Sequence, residues 1–482
     1  MALYYVLLRA WVHLGNGETT VRLLSCLIGT LTVPALYAVG ARLFDRPTGL
    51  VAALLLAADA GHLWASQEAR SYALAMCLTT LSWWLLLRAA AVTPAVTETA
   101  SATAAVPRAR ATTPQATLQW IAYVTTAALA VYAHFYAALV LLAQAAVALR
   151  LPLGRVASAG ADSRADGART DARIAPRVVL ACTAALVALL LPLLRFLVAH
   201  AHHNIDWIGD AHRNALLTLV WPVLHPTSDL GLAAVLALVV VGPLSMAVAW
   251  RRVPIIQRWR YSLVLLWLWV PIVVAVTTSL ALAPVIDERY LTICLPPLAL
   301  AAAATLTRGW SRGRSLGWSH GWSIATLVAL LALDAASVYW YYSRSENEDW
   351  RGATAYILDR AALGDRVLFY APYVHIPFDL YRDRAGRMRD APPQGPAPGQ
   401  PLAAAVAAAE QSAPRVWLVL SHADSPACED AIARDLRASF RTVERHAFTH
   451  IAVELLTDPR PGPGASPTHP AAFTVSRACP QQ

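Results

Sequence analysis

Long apolar runs separated by short polar clusters dominate the chain. Ten runs approach the roughly 20 apolar residues that a helix needs to cross a bilayer. They lie at 21–41, 47–65, 72–91, 118–133, 135–151, 178–197, 229–249, 261–282, 290–307 and 322–341. The fourth and fifth are short and nearly continuous, and reading them as one long helix would invert every later loop. The first fourteen residues, MALYYVLLRAWVHL, are too short to span. Leu3, Leu7, Leu8, Trp11 and Leu14 share one broad helical face there, with Arg9 and His13 elsewhere, which suits an amphipathic helix lying in the interface. The stretch has no basic n-region and no small-residue cleavage site, so it does not read as a signal peptide. After the aromatic belt Tyr339, Trp340, Tyr341 and Tyr342, the pattern turns soluble. RGATAYIL has helical periodicity, RVLFYAP and RVWLVLSH read as strands, and RMRDAPPQGPAPGQP between them reads as a disordered loop. The expected architecture is a polytopic α-helical membrane domain over 1–342, with an interfacial helix at 1–15 and about ten transmembrane helices. A small soluble extracytoplasmic α/β domain over 343–482 follows, with a disordered loop near 385–402.

Composition agrees with this pattern. Of 482 residues, 57% are hydrophobic and 14% charged, and the mean hydropathy is +0.46, outside the range of a soluble domain of this size. All 39 basic residues are arginines, and with the alanine excess this reads as a codon bias. The formal charge of +9 is a clue to topology. If the loop after the first span is cytoplasmic, the inner loops collect most arginines, from Arg42, Arg46 and Arg88 to Arg308, Arg312 and Arg314. The outer side up to residue 341 keeps Arg22, Arg70, Arg195, Arg213 and Arg289. That asymmetry supports the alternation, places the soluble domain outside and separates the fourth and fifth runs at His134. No basic groove interleaved with aromatics points to nucleic acid. Residues 92–117 and 153–176 read as flexible cytoplasmic loops, and 198–228 as an outer loop rich in His, Trp and Pro. Cys26, Cys77, Cys182 and Cys294 fall in apolar runs and serve as small hydrophobes. Cys428 and Cys479 lie in the polar tail, either paired in an oxidising compartment or as free thiols.

Four polar clusters map to the same outer side: Glu68/Arg70/Tyr72, Tyr132/His134/Tyr136, the His200 to Asp210 loop, and Asp287 to Leu291. Each has a plain structural reading. Glu68 and Arg70 make a surface ion pair, with Ser71 capping the next span. His134 is a belt residue between tyrosines. Asp287, Glu288 and Arg289 form a solvated turn with its acids near a helix N-terminus. His200, His202, His203 and His212 are a polar loop, because no fixed metal-ligand spacing such as HExxH accompanies them. Their placement on one face adds a functional reading. A carboxylate to deprotonate a hydroxyl, a guanidinium to hold a phosphate and an aromatic wall are what transfer from a lipid phosphate requires.

The ordered segments LYYVLLRAWVHL, RLLS, LTVPALYAVGARLF and SQEARSYAL, followed by YAHFYAALVLLAQ, DERYLTICLPPLALA and EDWRGATAYI, carry a resemblance over nearly the whole chain. Together they resemble the bacterial branch of the dolichyl-phosphate-mannose protein mannosyltransferase-like membrane glycosyltransferases, which have the GT-C fold. The resemblance implies an inverting hexosyl- or pentosyltransferase of the bacterial plasma membrane. Such an enzyme takes a sugar from a polyprenyl-phosphate donor at the outer face and passes it to a lipid, glycan or protein hydroxyl. The implied partners are that donor, that acceptor and membrane lipids, without nucleic acid. No cofactor is implied, and the metal requirement stays open. Carried over residue by residue, Glu68 matches the acidic residue of the second outer loop, in a catalytic role, with Arg70 and Tyr72 beside it as substrate contacts. Arg289, between Glu288 and Tyr290, matches a basic position near the donor phosphate, and His134 matches a Y-x-H position. Family members begin with a further span and an outer loop carrying an Asp-Glu pair, the expected base, where this chain has Met1. The expectation is therefore that Glu68 is one half of an acidic site, the other half lying upstream of a late start or lost in an inactive relative. Two competing readings are a transporter or flippase of a lipid-linked substrate and a non-catalytic scaffold. The first would rest on charge inside spans, here Asp334, with Asp59 nearer a span end.

Overall fold

The computed structural model describes residues 1–92, 114–150, 174–199, 237–281, 288–308, 318–343, 348–362, 364–369, 374–384, 415–421 and 441–457. Most of the expected loops 92–117 and 153–176, nearly all of the outer loop 198–228, the loop near 385–402, Asp287, Cys428 and Cys479 lie outside them. The chain divides into two compact units, Met1–Tyr341 and Tyr342–Gln482.

The first unit is a helical membrane domain. Helix α1 (Ala2–Trp11) runs into a short 3-10 turn, followed by α2 (Glu18–Leu43), α3 (Arg46–Ala58), α4 (Ala60–Gln67), α5 (Tyr72–Val92), α6 (Pro114–Ala133), α7 (Ala137–Arg150) and α8 (Pro176–Ala199). A π-turn at Val240–Leu244 leads into α9 (Ser245–Arg252), then come α10 (Ile255–Ala281), a 3-10 turn at Glu288–Cys294, α11 (Leu295–Leu306) and α12 (Trp318–Ser343). Among the described residues seven helices are long and apolar enough to cross a membrane, or eight if the bent pair α3 and α4 is one span. Two further runs, at Ala137–Leu149 and Ala237–Arg251, are shorter apolar helices. Each of the ten apolar runs falls on helix as far as it is described. The fourth and fifth are separate helices that fold back on each other across the turn at His134: Tyr123 on α6 donates to Gln144 on α7 at 3.0 Å. Gln144, fully buried, donates in turn to Ser82 on α5 at 2.7 Å. Three helices thus satisfy one another's polar groups where lipid offers no partner.

Run 47–65 is not a straight span. It bends by 61° between α3 and α4, at Asp59. A break inside an apolar layer leaves backbone donors without partners, and the buried Asp59 carboxylate answers this by accepting the His62 N–H at 2.7 Å. Asp59 therefore sits at an internal break rather than near a span end, within electrostatic reach of Asp334 on α12. The His62 ring contacts the Gly29 carbonyl oxygen at 3.2 Å, which ties α4 to α2. Contact between α2 and α3 is closer still. A Cβ on Gly49 would lie 2.6 Å from the Tyr37 carbonyl oxygen and 2.8 Å from the Ala41 nitrogen, and one on Gly40 would lie 2.8 Å from Gly49 Cα. Helix α11, apolar all round, is buried along almost its whole length, as expected for the centre of a bundle. Helix α8 buries none of its most apolar window.

Helix α1 is joined to α2 by side-chain hydrogen bonds. Tyr4, not the leucine stripe alone, is its buried residue; its hydroxyl shares a 2.7 Å hydrogen bond with Ser25 on α2, and Trp11 donates to the Thr20 carbonyl at 2.7 Å. Leu7 and Leu14 remain exposed, because α1 is docked on protein through Tyr4, Leu3, Leu8 and Trp11.

In the second unit, α13 (Trp350–Arg360), β1 (Arg366–Phe369), α14 (His375–Arg384), β2 (Arg415–Leu420), β3 (Arg441–Phe448) and β4 (Ile451–Thr457) form a small α/β layer. The sheet order is β1-β2-β4-β3, with β1 parallel to β2 and the other pairs antiparallel. The β3–β4 hairpin was not among the expected strands. Its signal is the apolar stretch IAVELL after a turn, where His450 takes φ 56°. The motif EDWRG has a folding role: Glu348 accepts from the Trp350 indole and from Ser421, both at 2.6 Å, and Asp349 caps α13 through the Gly352 N–H at 2.8 Å.

Two outcomes follow for the detergent-solubilised protein, read by thermal unfolding. Gly49→Leu should destabilise by about 2–3 kcal/mol, the scale of an overpacked contact. Gly321→Leu, which meets open space, should change little; equal losses would refute the close-packing argument. Asp59→Leu should lose the internal cap, at about 1–2 kcal/mol, whereas Asp59→Asn, still an acceptor, should remain near wild type.

Candidate active site

Three sequence clusters meet at one end of the helical bundle. The corner between α4 and α5 carries Glu68, Arg70 and Tyr72; the α6–α7 turn carries His134, Phe135 and Tyr136; the 3-10 turn before α11 carries Glu288, Arg289 and Tyr290. Their rings form one connected group. His134 stacks on Phe135 at 4.9 Å and lies 4.8 Å from Tyr290, 5.8 Å from Tyr136 and 5.9 Å from Tyr72, while Tyr72 stacks on Trp64 at 5.5 Å. Tyr136 and Tyr290 close the group at 5.0 Å. Aromatic pairs at these spacings gain about 0.5–1.5 kcal/mol each beyond area burial, so the shelf holds three distant segments in register.

The charged groups sit beside this shelf. Glu68, half-buried at the C-terminal end of α4, donates its backbone N–H to the Trp64 carbonyl at 3.1 Å. Arg70 is exposed. Partial desolvation works to lower its pKa, but a hydrogen bond to Tyr72 and the charges of Tyr72, Glu68 and Tyr5 raise it above its ordinary value. The guanidinium is thus a permanent cation beside the ring group. Tyr4 and Tyr5 of α1 reach the same neighbourhood, Tyr4 sensing the Glu68 charge and Tyr5 that of Arg70. Ser71 does not cap α5: its hydroxyl is buried with no hydrogen-bond partner among the described residues. Arg289 is half-buried and its carbonyl accepts from Thr292 at 3.0 Å; Tyr290 is buried.

His134 is buried, and its environment defines a protonation state. Its Nδ1 accepts the Tyr136 N–H at 3.3 Å, and burial pushes its pKa down to about 3. The ring is therefore neutral with its proton on Nε2, and that Nε2–H has no partner among the described residues. A neutral imidazole in this state donates; it does not act as a base at neutral pH. Tyr132 leaves the cluster, its hydroxyl donating to the Leu189 carbonyl on α8 at 2.9 Å. The His200 to Asp210 cluster lies outside the described residues. Among the described residues no group of three His, Cys, Asp or Glu side chains is placed to hold a metal. Sequence reasoning missed Trp64, Phe135, Tyr4 and Tyr5; the only trace of them was an aromatic at each of the meeting segments.

The low His134 pKa has a measurable consequence. Above about 6.5 the imidazole is neutral folded and unfolded, so its contribution is flat. Between about 6.5 and about 3 only the unfolded chain takes up the proton, so stability falls with pH by up to roughly 1.4 kcal/mol per pH unit. Unfolding of the membrane domain followed from pH 7 to 4.5 should therefore be less pH-dependent in His134→Gln. An unchanged slope would show that His134 titrates normally.

Residues 2–95, which include α1 to α5 and the Glu68–Tyr72 corner, match the family model described as dolichyl-phosphate-mannose-protein mannosyltransferase. No curated protein sequence matches the chain. Among solved structures, ArnT from Cupriavidus metallidurans in the apo state is similar with a TM-score of 0.53. The same protein bound to undecaprenyl phosphate gives 0.51. Each is 12% identical and covers 94% of this chain and 87% of the other. The chain is thus a multi-pass membrane protein with the GT-C fold, and its N-terminal segment resembles the dolichyl-phosphate-mannose-protein mannosyltransferases.

Proposed function

We propose that the protein transfers a sugar from a polyprenyl-phosphate donor to a hydroxyl of a lipid, glycan or protein. The reaction takes place at the extracytoplasmic face of a bacterial plasma membrane, with the C-terminal unit on that side. The single observation that carries the reading is the meeting of an acid, two arginines and an aromatic shelf at one end of an apolar bundle. In the reaction, the acceptor oxygen attacks the anomeric carbon, the bond from that carbon to the phosphate oxygen breaks with inversion, and the acceptor proton passes to a carboxylate. Arg70 and Arg289 carry the charge to stabilise the polyprenyl phosphate as it leaves. Glu68, beside Arg70, receives or orients the acceptor hydroxyl in this reading. His134 offers its Nε2–H to a sugar or phosphate oxygen, and Tyr72 and Tyr290 present rings to the sugar. The ArnT structure holding undecaprenyl phosphate on the same fold supports the donor class.

A transport reading has one observation of its own, the broken span at Asp59 facing Asp334, since discontinuous helices and midplane acids mark transporters. The two readings separate in one assay. In proteoliposomes with a radiolabelled polyprenyl-phosphate sugar and a mixed acceptor pool, Glu68→Gln and Arg289→Ala should each lower sugar transfer at least about 100-fold, the scale of a lost charge contact in the transition state. Full transfer in both variants sinks the site assignment. Donor crossing the bilayer without transfer, abolished by Asp59→Asn, would favour transport.

A further inference from the structure

The end of the bundle opposite the candidate site carries a second polar constellation that the sugar-transfer reading does not use. Tyr72 and Arg88 are separated by sixteen residues of α5, roughly 24 Å at the helical rise, so Arg88 lies most of a hydrocarbon thickness away from the ring group. Arg42 at the end of α2 is close enough to feel the charge of Arg88. Arg260 near the start of α10 is within electrostatic reach of Asp45, in the turn that follows Arg42. Phe44 and Tyr261 meet there edge to face at 5.5 Å.

No ion pair joins these arginines to an acid among the described residues. The Nε atoms of both Arg42 and Arg260 are buried with no hydrogen-bond partner there. The nearby acid Asp45 is partly engaged in capping α3: its Oδ1 accepts the Thr48 N–H at 2.9 Å and the Thr48 hydroxyl at 2.5 Å. By contrast, Arg258 on the same side is used for folding, donating to the Val253 and Arg251 carbonyls at 3.1 and 3.2 Å. Arg42 and Arg88 repel each other, and Arg42 and Arg260 each keep a buried donor unmet; such half-buried cations are costly unless an anion answers them. The surroundings indicate which kind of anion. The Arg88 guanidinium lies 4.7 Å over the Trp84 ring and that of Arg260 5.5 Å from the Trp259 ring, the arrangement of an interfacial belt. On α3, just beyond Asp45, Leu50 and Leu54 are exposed and offer an apolar wall below the level of the arginines, where an acyl chain would run.

We infer that Arg42, Arg88 and Arg260 form a binding site for the phosphate headgroup of an anionic glycerophospholipid, in the leaflet opposite the candidate active site. The site is independent of the sugar-transfer reading.

Native mass spectrometry of the full chain, released from detergent with equimolar phosphatidylglycerol and phosphatidylcholine, tests this. The expected result is preferential retention of phosphatidylglycerol, lowered about fivefold by Arg42→Gln and by Arg260→Gln, on the scale of one basic contact to an anionic lipid. Arg251→Gln, an exposed arginine of the same side, should leave retention unchanged. If either buried variant fails to elute as a folded species, Arg88→Gln replaces it. Equal retention of both lipids, or an equal loss in Arg251→Gln, overturns the site. So does displacement of the lipid by millimolar inorganic phosphate, which would mark a free-anion site instead.

Discussion

The membrane domain depends on how one interruption of helical hydrogen bonding is resolved inside an apolar layer. Between α3 and α4 the chain turns by 61°, and the Asp59 carboxylate accepts the His62 N–H that the break would otherwise strand. Leaving a buried backbone donor unmet costs about 1–3 kcal/mol, so a bend of this size is stabilised by a built-in acceptor. Once the bend exists, α4 is aimed across α2 and pinned there by the His62 ring and the close approach of Ser66 to Gly29. The corner that follows is where Glu68, Arg70 and Tyr72 emerge.

Rings then do what backbone hydrogen bonds cannot. The α4–α5 corner, the α6–α7 turn and the turn before α11 are separated by tens to hundreds of residues, yet His134 of the α6–α7 turn touches a ring from each of the other two and Tyr72 bridges to Trp64. Stacking in a partly dry layer tolerates polar edges, so the same side chains both set the register and present hydroxyl and imidazole groups. His134 shows this dual use most clearly. Its Nδ1 stabilises its own turn, and burial keeps it neutral, leaving one donor directed at no protein group among the described residues.

The two ends of the bundle use arginine differently. At the ring end, Arg70 is exposed and held by Tyr72 and Glu68. At the other, Arg42 and Arg260 are half-buried at helix ends, with Asp45 occupied in capping α3. A chain with only arginine as its base forces every basic position to carry a planar, permanently charged fork. Where such a fork is partly withdrawn from water, its donors have to be met.

Much of this was legible in the sequence, because lipid imposes length and polarity rules that act locally. Runs of about 20 apolar residues, arginine asymmetry and the change of pattern near Tyr342 made the multi-pass architecture, the helix pairing at His134 and the α/β character of the tail readable without coordinates. The polar clusters could be assigned to one side by parity alone. What parity cannot supply is distance. The convergence of Tyr72, His134 and Tyr290, the departure of Tyr132 to α8, the docking of α1 through Tyr4 and the internal break at Asp59 all depend on which helices pack together. That choice was made by contacts such as Gly40 on Gly49 and the Tyr123–Gln144–Ser82 chain. Helix periodicity records which face is apolar, not which partner it meets, so the spans belonged to the sequence and the site to the tertiary structure.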